Sequence, residues 1–238
     1  MFAAFGTSLS SLAPVEVEAP SPLAPAEDMA RVRSALSGLT QASMASLRFY
    51  RPQATAAFSP RDTSHPAHGA VMAMLAARGF QPGERGAGGQ LAVYDEAALV
   101  IDLIAPHPDP RENTRDRYRH FSALMVKAIS SLGIDARVGE VAGEYCPGDY
   151  SVNAGGRVKL AGLAQRIGKH GYHMGAVISI APSPAARDAV TEAYRMMDIP
   201  FAPETFGAIT DLAPGVSAEE TCRHIAHIMT EGLTRNAP

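Results

Sequence analysis

Two side chains in residues 143–166 could do chemistry together. Cys146 lies in a Pro-Gly turn, and Lys159 follows thirteen residues later, after a short polar strand and a Gly-Gly turn. A turn, a strand and a second turn can fold back and bring a thiol close to an ammonium group. A nearby ammonium lowers a thiol pKa and favours the thiolate, which is the nucleophilic form. The spacing also fits a β-hairpin with a buried cysteine and a surface lysine, so both interpretations stay open.

The lysine stands out against the composition of the chain. Of 21 basic residues only three are lysines, at positions 127, 159 and 169, and the others are arginines. A lysine ammonium is a compact point charge, whereas a guanidinium is a planar fork. Lys159 also lies between two apolar residues, which indicates a half-buried position. The alternative is a lysine whose stem runs along a strand edge to solvent.

Three segments together resemble a known family. Residues 157–166, RVKLAGLAQR, resemble the lysine motif of the biotin/lipoate protein ligase superfamily. The Cys146-Pro-Gly turn is similar to the cysteine loop of its lipoate–protein ligase A/octanoyltransferase branch. Upstream, residues 85–95, RGAGGQLAVYD, resemble the substrate loop of the superfamily, in which glycines let the backbone approach a ligand. The glycine-rich loop and the lysine motif occur in the same order as in the family, and the two together are more specific than either alone.

The resemblance implies a fold and a set of site residues. The fold is a single α+β catalytic domain over residues 28–238, with a mixed, largely antiparallel sheet flanked by helices. Cys146 and Lys159 are the implied catalytic residues, and residues 85–94 are expected to border the same cavity as Lys159. The implied substrate-binding residues are Arg85, Gly88, Gly89, Gln90, Tyr94, Gly162, Ala164, Gln165 and His173.

The resemblance also implies an activity on lipoyl or octanoyl groups. A transferase would carry the acyl group as a thioester on Cys146, assisted by Lys159, and would need no cofactor. A ligase would use ATP and Mg²⁺ to make lipoyl-AMP, and a non-catalytic homologue would only bind acyl groups. The implied partners are a lipoyl-domain acceptor, such as glycine cleavage H protein (GcvH) or the E2 subunit of a 2-oxo acid dehydrogenase, and octanoyl carrier protein or lipoate as donor.

The glycine-rich segment departs from the ligase pattern at two places. Gly86 stands where ligases usually have a second arginine, and Asp95-Glu96 stands where they have His-Asp. A carboxylate beside a triphosphate repels it unless a metal ion intervenes. Together with Cys146, these departures favour the transferase.

Composition excludes several other functions. The net charge of −3 provides no basic surface for nucleic acid or an acidic membrane, and no apolar run approaches the ~20 residues of a membrane span. The two cysteines, 146 and 222, form neither a disulfide framework nor a metal-ligand pattern, which fits a reducing cytoplasm. The histidine pairs 65/68 and 224/227 lack accompanying ligands, so they are interpreted as structural rather than as metal sites.

The patterning predicts a disordered Ala/Pro/Ser-rich tail over residues 1–27 and no internal repeat or linker after it. Helices are expected at 28–39, 65–79, 109–132, 183–196 and 217–233, the last with Cys222 on its core face. Strands are expected at 47–50, 55–58, 136–141 and 173–180. Two further strand pairs are expected, 91–93 with 98–104 and 151–153 with 157–161.

Overall fold

The computed structural model describes residues 9, 17–19 and 21–235. Its strands are β1 Val17–Glu18, β2 Ser46–Tyr50, β3 Thr55–Phe58, β4 Gln81–Glu84, β5 Ala92–Tyr94, β6 Ala98–Pro106, β7 Ala136–Val138, β8 Val152–Ala154, β9 Val158–Ile167 and β10 Gly171–Ser179. Its helices are α1 Pro25–Ser37, α2 Pro60–Thr63, α3 His68–Ala77, α4 Thr114–Ser130, α5 Pro184–Met196, α6 Ile209–Leu212 and α7 Ala218–Arg235.

The strands form two sheets. The larger sheet has seven strands in the order β1-β2-β6-β10-β9-β8-β7, in which β1 and β2 are parallel and all other neighbours are antiparallel. The smaller sheet has the order β4-β3-β5, with one parallel and one antiparallel pair. The expected α+β fold with a mixed, largely antiparallel sheet is therefore confirmed.

Helices α4 and α7 pack against one face of the larger sheet and form the main core with it. Both helices contribute an apolar stripe at helical spacing, and Cys222 is buried there as predicted. The helices approach closely at Gly232, where a Cβ would lie only 2.2 Å from Leu124 Cδ2. The core residues of the two helices include Phe121, Met125, Ala128, Ile129, Ile225, Met229 and Leu233.

A second core lies between the smaller sheet and helices α3 and α5. It contains Phe58, Leu75 and Tyr194, and it extends to Tyr145 and Cys146 of the loop between β7 and β8. The apolar residues of the cysteine loop therefore pack against the smaller sheet's core, while the following strand β8 belongs to the larger sheet.

Three local predictions differ from the structure. The strands predicted at 91–93 and 98–104 do not pair with each other, because β5 pairs with β3 while β6 pairs with β2 and β10. The helix predicted from residue 109 begins at Thr114, after Asn113 adopts a left-handed backbone with φ 56°. The helix predicted from residue 65 begins at His68, preceded by the separate α2, which Ser59 caps through the Asp62 N–H.

Part of the segment predicted as a disordered tail is ordered. Strand β1 pairs with β2, the Ser21 N–H donates to the Arg51 carbonyl at 2.8 Å, and α1 begins at Pro25. Arg48 of β2 forms ion pairs with Glu18 of β1 and with Asp28 of α1, and these charges attach both elements to the sheet. The rest of residues 1–27 lies outside the described residues. Across the described part of the chain, no helix combines the length and apolar character that a membrane span needs.

Candidate active site

Cys146 lies in the loop between β7 and β8 with a backbone that side chains rarely adopt. Its φ is 43°, in the left-handed region that disfavours any residue with a Cβ. The Cys146 N–H donates to the Tyr194 hydroxyl at 2.8 Å, and that hydroxyl donates to the Leu91 carbonyl at 2.9 Å. The thiol itself is half-buried. Tyr194 therefore holds the cysteine loop beside the segment that leads into β5.

The glycine-rich segment contacts the sulfur of Cys146 directly. The Gln90 N–H donates to Sγ at 3.2 Å, and Arg85 Nη2 lies 3.7 Å from Sγ. Gly89 has φ 102°, and a Cβ there would lie 2.9 Å from Sγ and 2.8 Å from Arg85 Nη2. Only glycine fits at this position, because the backbone conformation and the space both exclude a side chain.

Lys159 on β9 is buried, with 1% of its surface exposed, and all three of its donors are used. Nζ donates to Glu144 Oε1 at 2.9 Å, to the Tyr145 carbonyl at 3.0 Å and to the Cys146 carbonyl at 2.8 Å. The ammonium also lies 4.8 Å from the centre of the Tyr145 ring. One lysine therefore fixes three consecutive residues of the cysteine loop.

The expected contact between ammonium and thiol is replaced by a different arrangement. The structure brings Lys159 to the carbonyl of Cys146, while hydrogen bonds to Sγ come from Gln90 and Arg85. A buried Nζ with three acceptors at hydrogen-bond distance has no donor left for the sulfur. Lys159 therefore acts on Cys146 through the main chain of the loop.

Glu144 is a site residue that the sequence analysis missed. Its Oε1 accepts from Lys159 and from the Ser151 hydroxyl at 2.6 Å, and its Oε2 accepts from the Val141 N–H at 3.0 Å. The carboxylate thus neutralises the buried ammonium and closes the loop on itself. The sequence feature that could have identified Glu144 is its position, two residues before Cys146. A buried lysine needs an opposite charge, and this acidic residue lies close enough in the chain to provide it.

A cavity of about 500 Å³ runs from Cys146 over the face of the larger sheet opposite α4 and α7, and α1 contributes to its wall. Its floor on β9 and β10 includes the small residues Gly162, Ala164 and Gly175, which leave room above the sheet. Of the predicted site residues, the cavity is lined by Arg85, Gly88, Gly89, Tyr94, Cys146, Lys159, Gly162, Ala164, Gln165 and His173. Gln90 is not in the lining, but its N–H contacts Sγ. The roles of these residues in binding and chemistry stay predictions.

The polar atoms of Gln165 are already used inside the protein. Its Oε1 accepts from Arg117 Nε at 2.9 Å, and its Nε2 donates to Met174 Sδ at 2.9 Å and to the Thr114 carbonyl at 3.3 Å. Arg117 is fully buried and stacks its guanidinium over the Tyr172 ring at 4.3 Å. Gln165 thus connects β9 to α4 through its amide.

The acidic pair after the glycine-rich segment does not line the cavity. Asp95 accepts hydrogen bonds from the Ala97 N–H within the turn between β5 and β6 and from the hydroxyl of Ser183, the N-cap residue of α5. The departure from the ligase pattern at Asp95-Glu96 therefore places no carboxylate in this cavity. Within residues 9, 17–19 and 21–235, no group of three or more His, Cys, Asp or Glu side chains is placed to hold a metal ion.

Tyr50 and Asp102 are two further cavity residues that the sequence analysis missed. Asp102 lies in the middle of the apolar strand β6, where an acidic residue is unusual, and its Oδ1 bonds His173 Nε2 at 2.7 Å. Tyr50 ends β2 and carries the Arg48 guanidinium on its ring, 3.9 Å from the centre. The sequence feature that could have identified Asp102 is that it is the one charged residue in the apolar run of β6, whose nine residues are all buried.

Curated proteins similar to this chain share one name. The Geobacillus kaustophilus protein named octanoyl-[GcvH]:protein N-octanoyltransferase is 31% identical over 145 residues, covering 61% of this chain and 51% of that protein. A Bacillus velezensis protein of the same name is 25% identical over 193 residues, covering 81% of this chain and 65% of its own length. The chain spans about half to two thirds of the length of these relatives.

Solved structures and a family model agree on the fold. Protein Ta0514 from T. acidophilum with bound lipoic acid superposes with a TM-score of 0.70 at 18% identity, covering 93% of this chain and 86% of that one. Lipoate-protein ligase A bound with ATP superposes with a TM-score of 0.67 at 17% identity, covering 93% of this chain and 84% of that one. The model of the lipoyl protein ligase A/B catalytic domain matches residues 25–227. The chain therefore belongs to the lipoyl protein ligase A/B catalytic domain family.

Proposed function

We propose that this protein is an acyltransferase that passes an octanoyl or lipoyl group through a thioester on Cys146 to a lysine of a lipoyl-domain protein. The observation that carries the proposal is the environment of the thiol. Sγ is half-buried at a large cavity, accepts the Gln90 N–H and lies beside the Arg85 guanidinium. A nucleophile held by main-chain contacts and faced by donors is suited to covalent acyl transfer.

The transfer consists of two substitutions at the acyl carbonyl carbon. The Cys146 thiolate attacks the acyl carbonyl of the donor and a new C–S bond forms. The donor's C–S bond breaks if the donor is a carrier-protein thioester, or its C–N bond breaks if the donor is octanoyl-lysine of GcvH, and the leaving thiol or amine takes a proton. The neutral amine of the acceptor lysine then attacks the Cys146 thioester, an amide bond forms, the amine loses a proton and Cys146 leaves as a thiolate. From a thioester donor the first step is nearly balanced and the final amide makes the transfer favourable, whereas from an octanoyl-lysine donor one amide replaces another and the overall exchange is close to neutral.

The groups around Sγ are placed to stabilise the negative charge of both steps. The Gln90 N–H and the Arg85 guanidinium contact the sulfur, where charge is present before attack and after departure. Lys159, which is paired with Glu144, donates to the Cys146 carbonyl, so the main chain that carries the sulfur is held in position. Because Gln90 and Arg85 contact the sulfur while Lys159 contacts the main chain, these contacts support a role for Lys159 as a positioning residue in the transfer.

The names of the curated relatives support a GcvH-type lipoyl domain as the protein partner. Those relatives are named for octanoyl-GcvH and for transfer of the octanoyl group to a protein nitrogen. We include octanoyl carrier protein as a second acyl donor and a 2-oxo acid dehydrogenase E2 lipoyl domain as a second acceptor. The transferase requires no cofactor, whereas the alternative ligase requires ATP and Mg²⁺ with free lipoate.

The test compares acyl transfer by three proteins in the absence of ATP. Octanoyl carrier protein or octanoyl-GcvH is the donor, an unmodified lipoyl domain is the acceptor, and octanoyl-lysine is detected by mass spectrometry. We expect transfer by the wild type and by Cys222→Ser, and none above background by Cys146→Ser. Cys222 is a matched control because it is buried, and burial raises its thiol pKa to about 11.

Two other outcomes would contradict the proposal. Undiminished transfer by Cys146→Ser, dependent on ATP and lipoate, would identify a ligase. Tight acyl binding without transfer from any donor would identify a binding protein.

A further inference from the structure

Four polar side chains line the cavity on β2, β5, β6 and β10. They are Tyr50, Tyr94, Asp102 and His173, and we refer to them as the distal cluster. Asp102 Oδ1 accepts from His173, but Oδ2 is buried and receives no hydrogen bond from any residue that the structure describes. Nor does the hydroxyl of Tyr50 or Tyr94 hydrogen-bond to another residue in the described part of the chain. A buried carboxylate oxygen such as Oδ2 that has no partner in a native protein needs an explanation.

Strand register gives the distance of the distal cluster from the chemistry. Gly162 of β9 lies beside the Lys159 side chain, because a Cβ on Gly162 would be 3.4 Å from Lys159 Cε. Across the sheet, Gly162 pairs with Val177 of β10, which pairs with Val100 of β6. Asp102 is two residues further along β6, so it lies two strands, about 10 Å, from β9. The two-residue offset adds about 7 Å along the strand, so Asp102 is about 12 Å from Gly162 at the lysine end of the cavity.

An eight-carbon acyl chain spans most of this distance, and a hydrogen-bond contact of about 3 Å spans the rest. Seven carbon–carbon bonds of about 1.5 Å give an extended zigzag of about 9 Å. A chain whose carbonyl is at Cys146 and whose stem crosses the small residues Gly162 and Ala164 ends near Tyr94 and Asp102. In that position the last carbons of the chain would contact the distal cluster, far from the bonds that react.

The distal cluster offers both donors and an acceptor. Burial raises the pKa of the Tyr50 and Tyr94 phenols well above the usual range, so both hydroxyls stay protonated and can donate. The free Oδ2 of Asp102 can accept. A methyl group at this position would displace the water that hydrates these polar groups and would offer no hydrogen bonds in return. A polar chain end would replace the hydrogen bonds that the water made.

We propose that the distal cluster is a polar subsite that selects acyl chains with an uncharged polar end over saturated chains of the same length. The chemical class includes hydroxylated chains and the sulfur-bearing end of a lipoyl or dihydrolipoyl group, whose thiols donate and whose sulfurs accept weakly. This inference rests on the proposed function, because it takes the acyl chain from Cys146 along the cavity.

The test compares two acids that differ only at the distal end. 8-Hydroxyoctanoic acid and nonanoic acid have the same number of heavy atoms, and calorimetry gives the Kd of each for the wild-type protein. We expect the hydroxy acid to bind roughly tenfold or more tightly than nonanoic acid. The double variant Tyr50→Phe/Tyr94→Phe keeps both rings and is expected to lose most of this preference.

Tyr118→Phe is the matched control, because Tyr118 lines the same cavity but stacks on Tyr150 with ring centres 4.9 Å apart. We expect it to keep the preference. If the double variant does not fold, the two single variants give the same comparison. Equal or tighter binding of nonanoic acid by the wild type would overturn the proposal, as would an unchanged preference in the phenylalanine variants.

The measurement separates this subsite from the proposed function. Binding of free acids does not require the thiol, so Cys146→Ser is expected to show the same preference as the wild type. A protein with the preference but without an acyl adduct on Cys146 would contradict the transferase and support the subsite. A protein with the adduct but without the preference would contradict only the subsite.

Discussion

At the scale of single residues, the chemistry of Cys146 depends on which atoms touch it. Lys159 contacts the carbonyl of Cys146, while the Gln90 N–H and Arg85 contact the sulfur. The charge of the lysine is balanced by Glu144, with the two side chains 1% and 0% exposed. A buried ion pair contributes little net stability, but removal of one partner leaves an isolated charge. Loss of either side chain should therefore destabilise the loop.

Lys159→Met tests this role. The substitution leaves the Glu144 carboxylate buried without its opposite charge and leaves the Tyr145 and Cys146 carbonyls without a donor. We expect the free energy of unfolding, measured by urea denaturation, to fall by about 3–5 kcal/mol, and acyl transfer to be lost. The double variant Glu144→Gln/Lys159→Met should recover part of the stability but not the transfer. A single variant as stable as the wild type would contradict the account.

At the scale of elements, the site joins segments from both sheets. Helix α5 packs in the core of the smaller sheet, yet its Tyr194 hydroxyl accepts from Cys146 and donates to Leu91 just before β5. The residue before Leu91 is Gln90 of the glycine-rich segment, and its N–H contacts Sγ. A single hydroxyl on α5 thus sets the distance between the sulfur and the Gln90 donor.

Tyr194→Phe removes this hydroxyl and keeps the ring. The Cys146 N–H then has no partner, and a buried unsatisfied donor costs about 1–3 kcal/mol. We expect a lower free energy of unfolding by that amount, faster hydrogen exchange at the Cys146 amide, and slower acyl transfer. Ser122→Ala is the control, because Ser122 is buried on α4 outside the cavity lining and its hydroxyl donates to the Arg119 carbonyl at 3.1 Å. It should change neither the amide exchange at Cys146 nor the transfer by a comparable amount. Unchanged amide exchange in Tyr194→Phe would show that the hydroxyl does not hold the loop.

At the scale of the whole molecule, the sequence predicted the type and order of most elements but not how the two sheets divide them. Strands β5 and β6 are both apolar and are separated by a short turn, which locally favours a hairpin. They belong to different sheets because β5 completes the core with α5 while β6 is central in the larger sheet. Tertiary packing decides which sheet each strand joins, and the local sequence pattern holds no information on that choice.

The candidate site was predictable where residues carry a rare type or a motif. The glycine-rich segment, Cys146 and Lys159 were identified from such signals, and the structure places them around one cavity. Tyr194 was not identified, because its apolar ring follows the helical stripe of α5 and its one hydrogen-bonding atom leaves no trace in that pattern. The direction of the Lys159 ammonium was also beyond the sequence, since it depends on three acceptors in a loop of irregular backbone.

The central claim is that Cys146 carries the acyl group, and peptide mass spectrometry tests it most directly. The purified protein is incubated with octanoyl carrier protein without ATP, digested under acidic conditions and mapped. The account predicts one octanoyl group on the peptide that contains Cys146, released by hydroxylamine, absent from the Cys222 peptide and absent from the Cys146→Ser protein. No octanoyl group on Cys146, in a preparation that still acylates a lipoyl domain when ATP and free acid are supplied, would contradict the account.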